Sequence, residues 1–504
     1  MPDCVTFAIG MVPDVFSAAV AEKVEIFAAT VYLDVKLKFR FIMEYIEGLI
    51  IQFAELAWGP WLLVLLLGGG FFFLLYSRLL PFRYFKHAIA IVQGKYDNPD
   101  DAGDISHFQA LSSALAGTIG MGNIAGVAIA IQAGGPGAIF WMWMSALVGI
   151  ATKFFTCSLA IMYRGKDSMG HLQGGPMYVV TEGLGRRWKP LATLFCLAGL
   201  IGCLPLFQIN QLVQILREVV FIPNGWLEAS QIFSFNLTSG ILIAALVALV
   251  VFGGIVRIGA VTSKLVPAMV LLYMGSAIWI LLENYQMVPQ YLMLIISDAF
   301  TGKAVGGGAL GTVIVTGIRR GAFSNEAGIG TEAMAHGAAK TQEPIREGLV
   351  AMMGPFVDTL IVCTMTALVI LVTGAWQTSA ADGVTLTATA FNTGMPGIGT
   401  YVLIICVIFF STSTMFSYSY YGTKCLGFLI GAERQHLYNY IYVTLMVVAA
   451  VASLDAAVSL IDGMYALMAI PTMTSALLLA PKVMGAARVY FDKMRDTERN
   501  QFYG

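Results

Sequence analysis

Gly117-Thr118-Ile119-Gly120-Met121-Gly122-Asn123, followed by Gly126, interrupts an otherwise apolar segment that runs from 106 to 132. Glycines this dense leave a helix backbone under-constrained, so the spacing predicts an unwound stretch rather than a continuous helix. Unwound backbone at membrane depth is tolerated only where it is buried in protein or lines a cavity. There it offers free amides to an anion and free carbonyls to a cation. The alternative is a small-residue packing face of the GxxxG kind. These glycines stand two and three apart rather than four, and Thr118 and Asn123 add ligand oxygens.

The surrounding chain explains why membrane depth is the relevant setting. Of 504 residues, 58% are hydrophobic and only 12% charged, about half the usual share for a soluble domain. Mean hydropathy is +0.77. The 29 basic and 30 acidic residues nearly cancel, which leaves no footprint for nucleic acid. Cys157, Cys196, Cys203, Cys363 and Cys406 lie within apolar runs and read as small core residues. His87, His107, His171, His336 and His436 have no metal-ligand spacing, and no phosphate-binding loop is present. The reading is an all-α polytopic membrane protein without cofactor or built-in ATPase.

A spanning helix needs roughly 20 mostly apolar residues. Eleven segments qualify: 50–76, 106–132, 137–163, 190–216, 238–256, 262–283, 305–339 (interrupted), 347–373, 400–422, 437–453 and 457–480. Residues 1–49 mix apolar and charged side chains and read as an interfacial lead segment, and 481–504 as a cytoplasmic tail. Basic residues set orientation. With the N-terminus outside, most of them fall on the inside. Arg78, Arg83, Lys86 and Lys95 share one connection, Arg164, Lys166, Arg186, Arg187 and Lys189 the next, and Arg257 and Lys264 a third. Arg319, Arg320, Lys340 and Arg346 follow, then Lys424 and Arg434, then the tail. This places the C-terminus in the cytoplasm and the chain in the plasma (inner) membrane. The stretch 374–399 has no basic residue and reads as an outer hairpin over a vestibule.

A second interruption lies at Gly321-Ala322-Phe323-Ser324-Asn325-Glu326-Ala327-Gly328-Ile329-Gly330. A cytoplasmic loop after Arg319 and Arg320 is the plain alternative. Position argues for more. Segments 106–283 and 305–480 hold five spans each, and each set opens on an interrupted helix. A repeat of five inserts in opposite orientations, giving an inverted pair after one leading helix, 50–76. Broken helices at matching positions point to a transporter binding site.

Four spaced motifs resemble those of the alanine/glycine:cation symporter family. The first runs from Gln109-Ala110-Leu111 to Gly126-Val127-Ala128 and on through Gly134-Gly135-Pro136-Gly137-Ala138-Ile139-Phe140-Trp141-Met142-Trp143. The second is Gly174-Gly175-Pro176-Met177-Tyr178, the third Arg320-Gly321 through Gly330, and the fourth Ser413-Thr414 with Tyr420-Tyr421-Gly422. The resemblance covers about residues 50–480. It implies sodium-driven, in places proton-driven, uptake of alanine, glycine or a similar small neutral amino acid on a LeuT-like fold.

The resemblance also sharpens the candidate residues. Carbonyls of Ala116, Ile119 and Phe410 with the hydroxyls of Ser413 and Thr414 form a neutral oxygen cage for Na+, placed where LeuT-like carriers hold sodium. For the substrate, the amides of Gly117, Gly120 and Gly122 suit a carboxylate, with Thr118 and Asn123 beside them. Phe323, Ser324 and Asn325 form the opposite wall, Thr414 borders both sites, and Gln208 is an uncharged polar residue within an apolar span. Tyr418 stands where the family often has tryptophan. Asp358, Asp455 and Asp462 are costly residues for a membrane, Asp358 the deepest. Asp358 reads as a proton or cation relay, or as the partner of a buried hydroxyl network, and Lys153 as a side chain that snorkels to the interface. A cation channel, or a permease for another small solute, is the competing class. A channel filter is usually repeated around a symmetric oligomer, whereas the repeat read here is internal. An intramembrane enzyme lacks a nucleophile–base pair.

Overall fold

The computed structural model describes residues 45–300, 309–378 and 381–503. Most of the expected lead segment, 1–44, lies outside them. The chain separates into two units, 1–53 and 54–504. The second carries both glycine-rich interruptions.

Its main helices are α1 (Pro60–Tyr76), α2 (His107–Thr118), α3 (Gly122–Gly134), α4 (Gly137–Met162), α5 (Lys189–Gly202), α6 (Leu206–Ile215), α7 (Ile232–Val251) and α8 (Gly254–Glu283). They continue with α9 (Ala309–Asn325), α10 (Thr331–His336), α11 (Pro344–Val372), α12 (Gly383–Gly394), α13 (Gly399–Ile430), α14 (Leu437–Ala449) and α15 (Leu454–Tyr503). Among the described residues seven helices are long and apolar enough to cross a membrane. The number is nine when Tyr45–Ala57 with Pro60–Tyr76, and α2 with α3, each count as one span. The expected spans 305–339 and 437–453 correspond to α9 with α10 and to α14, whose pieces are shorter than a spanning helix.

Burial sorts the helices into layers. In α4 89% of the apolar window is buried, against 28% in α7 and 33% in α8. The last two expose Leu242, Leu246, Leu249, Leu271 and Leu282, as a lipid-facing rim should. α4 is enclosed because α9, α10 and α11 pack along it. Small residues permit that approach. A Cβ on Gly317 would stand 2.4 Å from the Ala138 carbonyl oxygen and 2.5 Å from Trp141 Cβ.

One end of the molecule is tied by Arg164, just beyond α4. Its Nε donates to the Gly337 carbonyl at 2.8 Å, Nη1 to Ala102 at 3.1 Å and to Thr341 at 3.0 Å, and Nη2 to Ala339. This clamp fixes the start of α2 beside the end of α10. α2 itself opens on a reciprocal cap, with Ser106 Oγ accepting from the Gln109 amide and Gln109 Oε1 from the Ser106 amide.

Three expectations change. Arg319 and Arg320 lie inside α9, not in a connection, because both pair with the buried Asp462 of α15, Arg319 Nε at 2.6 Å. The orientation argument therefore rests on the other basic residues. Lys153 does not snorkel; it is 1% exposed, enclosed between helices within reach of the fields of Glu326, Glu332 and Asp358. The segment after 480 continues α15, because Tyr490 and Phe491 pack on the 84–87 region, with the Tyr84 and Phe491 rings stacked at 3.8 Å.

Replacing Gly317 by Ala should lower the thermal unfolding temperature by an amount matching about 1–3 kcal/mol of overpacking. Gly311→Ala, on the same helix with nothing within 4 Å of its Cβ position, should leave it unchanged. Equal shifts in the two variants would refute close packing of α9 on α4.

Candidate functional site

The first interruption is a bend of 51° between α2 and α3. The backbone leaves helical geometry at Ile119 (ψ 88°). Asn123 holds the turn, its Oδ1 accepting from the Gly120 amide at 2.9 Å while its own amide bonds to the Gly120 carbonyl at 3.1 Å. The second interruption, between α9 and α10, is sharper, with Glu326, Gly328 and Gly330 all at positive φ (55°, 85° and 99°). For glutamate that conformation is uncommon. It is held in place because Glu326 accepts hydroxyl bonds from Thr331, Tyr418 and Tyr465, the last at 3.2 Å.

The two interruptions meet. A Cβ on Gly122 would lie 3.4 Å from Ser324 Cα and 3.5 Å from the Phe323 ring. Between them sits Asp358, fully buried, at the centre of a polar cluster. Asn123 Nδ2 donates to Asp358 Oδ1 at 2.7 Å and to its backbone carbonyl at 3.1 Å. Ser324 Oγ donates to Oδ2 at 2.8 Å and Thr359 Oγ1 to Oδ2 at 2.6 Å. Asn325 extends the cluster, donating to Thr359 Oγ1 at 3.2 Å and accepting from the Ala327 amide at 3.0 Å. Of the alternatives for Asp358, the geometry gives the partner of a hydroxyl and amide network.

Helix α13 closes the other side of the first interruption. Ser417 Oγ donates to the Ser113 carbonyl at 2.9 Å and Ser413 Oγ approaches the Ala116 carbonyl at 3.5 Å. Ser413 and Thr414 both donate to the Phe410 carbonyl at 3.0 Å. A Cβ on Gly120 would stand 2.3 Å from Thr414 Oγ1. Ala116, Phe410, Ser413 and Thr414 are thus gathered in one place, with Ile119 at the end of α2. Thr118 turns its hydroxyl back to the Ala114 carbonyl at 3.3 Å. Gln208 is buried, and its Oε1 lacks a hydrogen-bond partner among the described residues. The Tyr421 hydroxyl lacks one too, and lies 3.3 Å from the Cβ position of Gly117. Phe323 forms an aromatic wall with Phe207 (5.4 Å between ring centres) and Tyr465 (5.7 Å).

The stretch 374–399 contains a helix, α12, that packs on this site rather than standing away from it. Thr387 Oγ1 donates to the Ile124 carbonyl at 3.2 Å, and Gln211 Oε1 accepts from the Val384 amide at 3.0 Å. Sequence reading did not assign Glu326, Thr359, Tyr465 or Phe207. A glutamate in a weakly polar interruption was the available signal for Glu326; the other three look like ordinary helix residues.

Two interruptions joined in the buried interior suit a carrier, and the chain is similar to known proteins along most of its length. The sodium:alanine symporter family model matches residues 43–504. The chain belongs to that family. It is 38% identical over 467 residues to an uncharacterised transporter of Haemophilus influenzae, covering 90% of this chain and 98% of the relative. It is also 38% identical to the sodium/alanine symporter AgcS of Methanococcus maripaludis, over 88% of this chain and 97% of that one. The probable sodium/glutamine symporter GlnT of Bacillus subtilis is 32% identical, over 92% and 94%. Among solved structures, MhsT in complex with L-phenylalanine superposes with a TM-score of 0.53 at 14% identity, over 77% of this chain and 99% of that one. That likeness shows a LeuT-type fold. The protein is accordingly an integral multi-pass membrane protein of an amino-acid symporter family.

Asp358→Ala should strand three donors, Asn123, Ser324 and Thr359, at about 1–3 kcal/mol each, and lower the unfolding temperature in detergent. Thr359→Val, which removes one of the three donors and strands only the Asn325 amide, should cost less. Equal costs would mean that Asp358 does not join the two interruptions.

Proposed function

We propose that the chain is a secondary active symporter that couples Na+ influx to uptake of a small neutral amino acid such as alanine or glycine. The observation that carries this reading is the approach of α13 to the unwound end of α2. Ser413 and Thr414 hydroxyls and the Ala116 and Phe410 carbonyls gather there without a carboxylate. A neutral oxygen set of this kind holds a monovalent cation weakly, as a carrier that must release its ion requires. Gly117, Gly120 and Gly122 border the carboxylate end of a substrate site, where the Gly120 amide becomes available only by leaving Asn123 Oδ1 and Gly117 lies within α2, and Phe323 with Ser324 form the facing wall. Asn123 and Asn325 act by holding the two interruptions in shape, since both ends of each side chain are engaged. Thr118, Gln208 and Tyr418 complete the surroundings.

Close packing favours a small substrate. Gly120 stands against Thr414 and Gly122 against Ser324 and the Phe323 ring, so the backbone here is closely covered. The relative named for glutamine marks the nearest competing substrate. Alternating access follows from rocking of one helix bundle against the other around the fixed site. Orientation is read from the remaining basic residues, with the Arg164 end and the C-terminus cytoplasmic and the N-terminus outside. One cation crossing about 100 mV supplies ~2.3 kcal/mol. That is roughly 50-fold accumulation before any sodium gradient is counted.

Purified protein in liposomes should take up labelled alanine, glycine or serine when a sodium gradient is imposed, saturably and at fixed stoichiometry. Current without amino-acid coupling would favour a channel instead. Ser413→Ala with Thr414→Ala deletes two hydroxyls with little change in volume, and should raise the sodium concentration needed for half-maximal uptake by roughly tenfold, about 1.4 kcal/mol. An unchanged sodium dependence would put the cation elsewhere.

Gly120→Leu places its Cβ on the Thr414 hydroxyl and should abolish substrate-induced thermal stabilisation. In the unaltered protein that stabilisation reaches about 2.7 kcal/mol when ligand is at about 100 times its dissociation constant. Full stabilisation in a folded Gly120→Leu variant would remove the unwound segment from the substrate site.

A further inference from the structure

Three glutamates lie fully buried, Glu326 at the second interruption, Glu332 on α10 and Glu347 on α11. Charged carboxylates at such depth are costly unless matched, and intramembrane Glu and His chains mark proton pathways. Glu347 is matched by two buried histidines: His336 Nδ1 contacts its Oε1 at 2.6 Å, and His107 Nδ1 contacts its Oε2. Glu326 and Glu332 form no ion pair among the described residues. Lys153, the buried cation near them, acts on both only through space.

The two carboxylates are instead joined through one hydroxyl. Thr331 Oγ1 bonds Glu326 Oε2 and lies 3.5 Å from Glu332 Oε2. A hydroxyl has one hydrogen to donate. Given to Glu326, that hydrogen leaves the Glu332 contact satisfied only when Glu332 carries a proton and donates back to Thr331. Glu326 also receives the Tyr418 hydroxyl, which Tyr465 backs at 2.6 Å, and Glu332 receives the Thr156 hydroxyl at 3.3 Å and its own backbone amide.

We infer that Glu326 and Glu332 share one proton through Thr331, and that this proton exchanges with the Arg164 end along His336, Glu347 and His107 during transport. His336 lies four residues beyond Glu332 on α10, one helical turn away. His107 stands at the first position of α2, and its buried Nε2 has no partner among the described residues, open to a further proton donor or acceptor. Transfer breaks the O–H bond at Glu332 as an N–H bond forms at His336. The hydrogen on His336 Nδ1 passes to Glu347, and from there to His107. Other titratable groups facing this chain are Lys153 and Cys157 on α4, Arg164 just beyond it, Arg346 on α11, Asp97, Cys203, and Tyr421 on α13. The shared proton stands on geometry alone; its movement during transport rests on the proposed symport.

Infrared spectra of the purified full chain near neutral pH should show the carbonyl stretch of a protonated buried acid, shifted in D2O and lost in Glu332→Gln. A band unchanged by that substitution overturns the shared proton. In liposomes with an internal pH dye, sodium-driven alanine uptake should carry protons in the unaltered protein. Proton movement should vanish in Glu332→Gln and in Thr331→Ala, and survive in Thr331→Ser, which keeps the hydroxyl. Sodium-driven uptake with no proton movement in the unaltered protein, or movement indifferent to both substitutions, overturns the pathway and leaves the symporter standing. Absence of alanine uptake overturns the symport reading instead, and the infrared band still decides the shared proton.

Discussion

A carboxylate at the middle of a membrane protein cannot be left to itself, and Asp358 sets the terms for everything around it. An ionised Asp at a helix centre costs about 2.5–3.5 kcal/mol, so its oxygens must be filled with donors. Those donors come from both interrupted segments and from the neighbouring position on α11. The donor from the first segment, Asn123, uses its other end to hold the Gly120 amide. Shape at the first interruption is therefore coupled to a residue more than two hundred positions away. Loss of this one acceptor would free both interruptions at once, which is why the site is better seen as two turns on one anchor than as two separate glycine-rich loops.

Other costly side chains are handled by the same rule with different partners. Arg319 and Arg320 are carried into α9 by Asp462 of α15, and Arg164 is occupied by four carbonyl bonds that hold 102 and 337–341 together. Glu326 keeps a positive φ because three hydroxyls converge on it. Most of these bonds join segments far apart in the chain; those at Glu326 and Asp462 are buried away from competing water, whereas the Arg164 clamp is partly exposed.

Much of this was legible in the sequence, and the division follows the range of the interactions. Glycine spacing and stray polar residues revealed both interruptions, because local backbone freedom is written locally. The gathering of Ala116, Phe410, Ser413 and Thr414 was legible through the family resemblance, not through spacing alone. Partner choice was not legible. Tyr418 counted as a substrate-site residue, yet its hydroxyl is given to Glu326. Arg319 and Arg320 counted as loop residues because a tally of basic residues does not see Asp462. Lys153 was read as reaching the interface because a lone lysine usually can, whereas here α4 is enclosed on nearly all sides. Helix α12 was hidden in a threonine-rich stretch that binds its helix to α3 and α6 through single hydrogen bonds.

The distribution of these bonds bears on how a rocking mechanism would work. The interruptions are tied to each other through Asp358, but to α13 and α15 mainly through single hydroxyls: Ser413 to Ala116, Ser417 to Ser113, Tyr418 to Glu326 and Thr472 to the Ile329 carbonyl at 2.8 Å. A neutral hydrogen bond is worth about 0.5–1.5 kcal/mol net, and a hydroxyl can turn to another acceptor as it slides. Stranding the donors around a buried carboxylate costs several times more. Under the proposed alternating access, the weak contacts are the ones to exchange, while α2, α3, α9, α10 and α11 move as one body around Asp358. The Arg320–Asp462 pair is the exception on the α15 side, since breaking a buried ion pair costs about 3–5 kcal/mol. Water must reach both partners before they part, so separation of α9 from α15 at that point requires an opening that hydrates the arginine. The same pair that stabilises α9 in the closed arrangement thereby makes opening there conditional on solvent access.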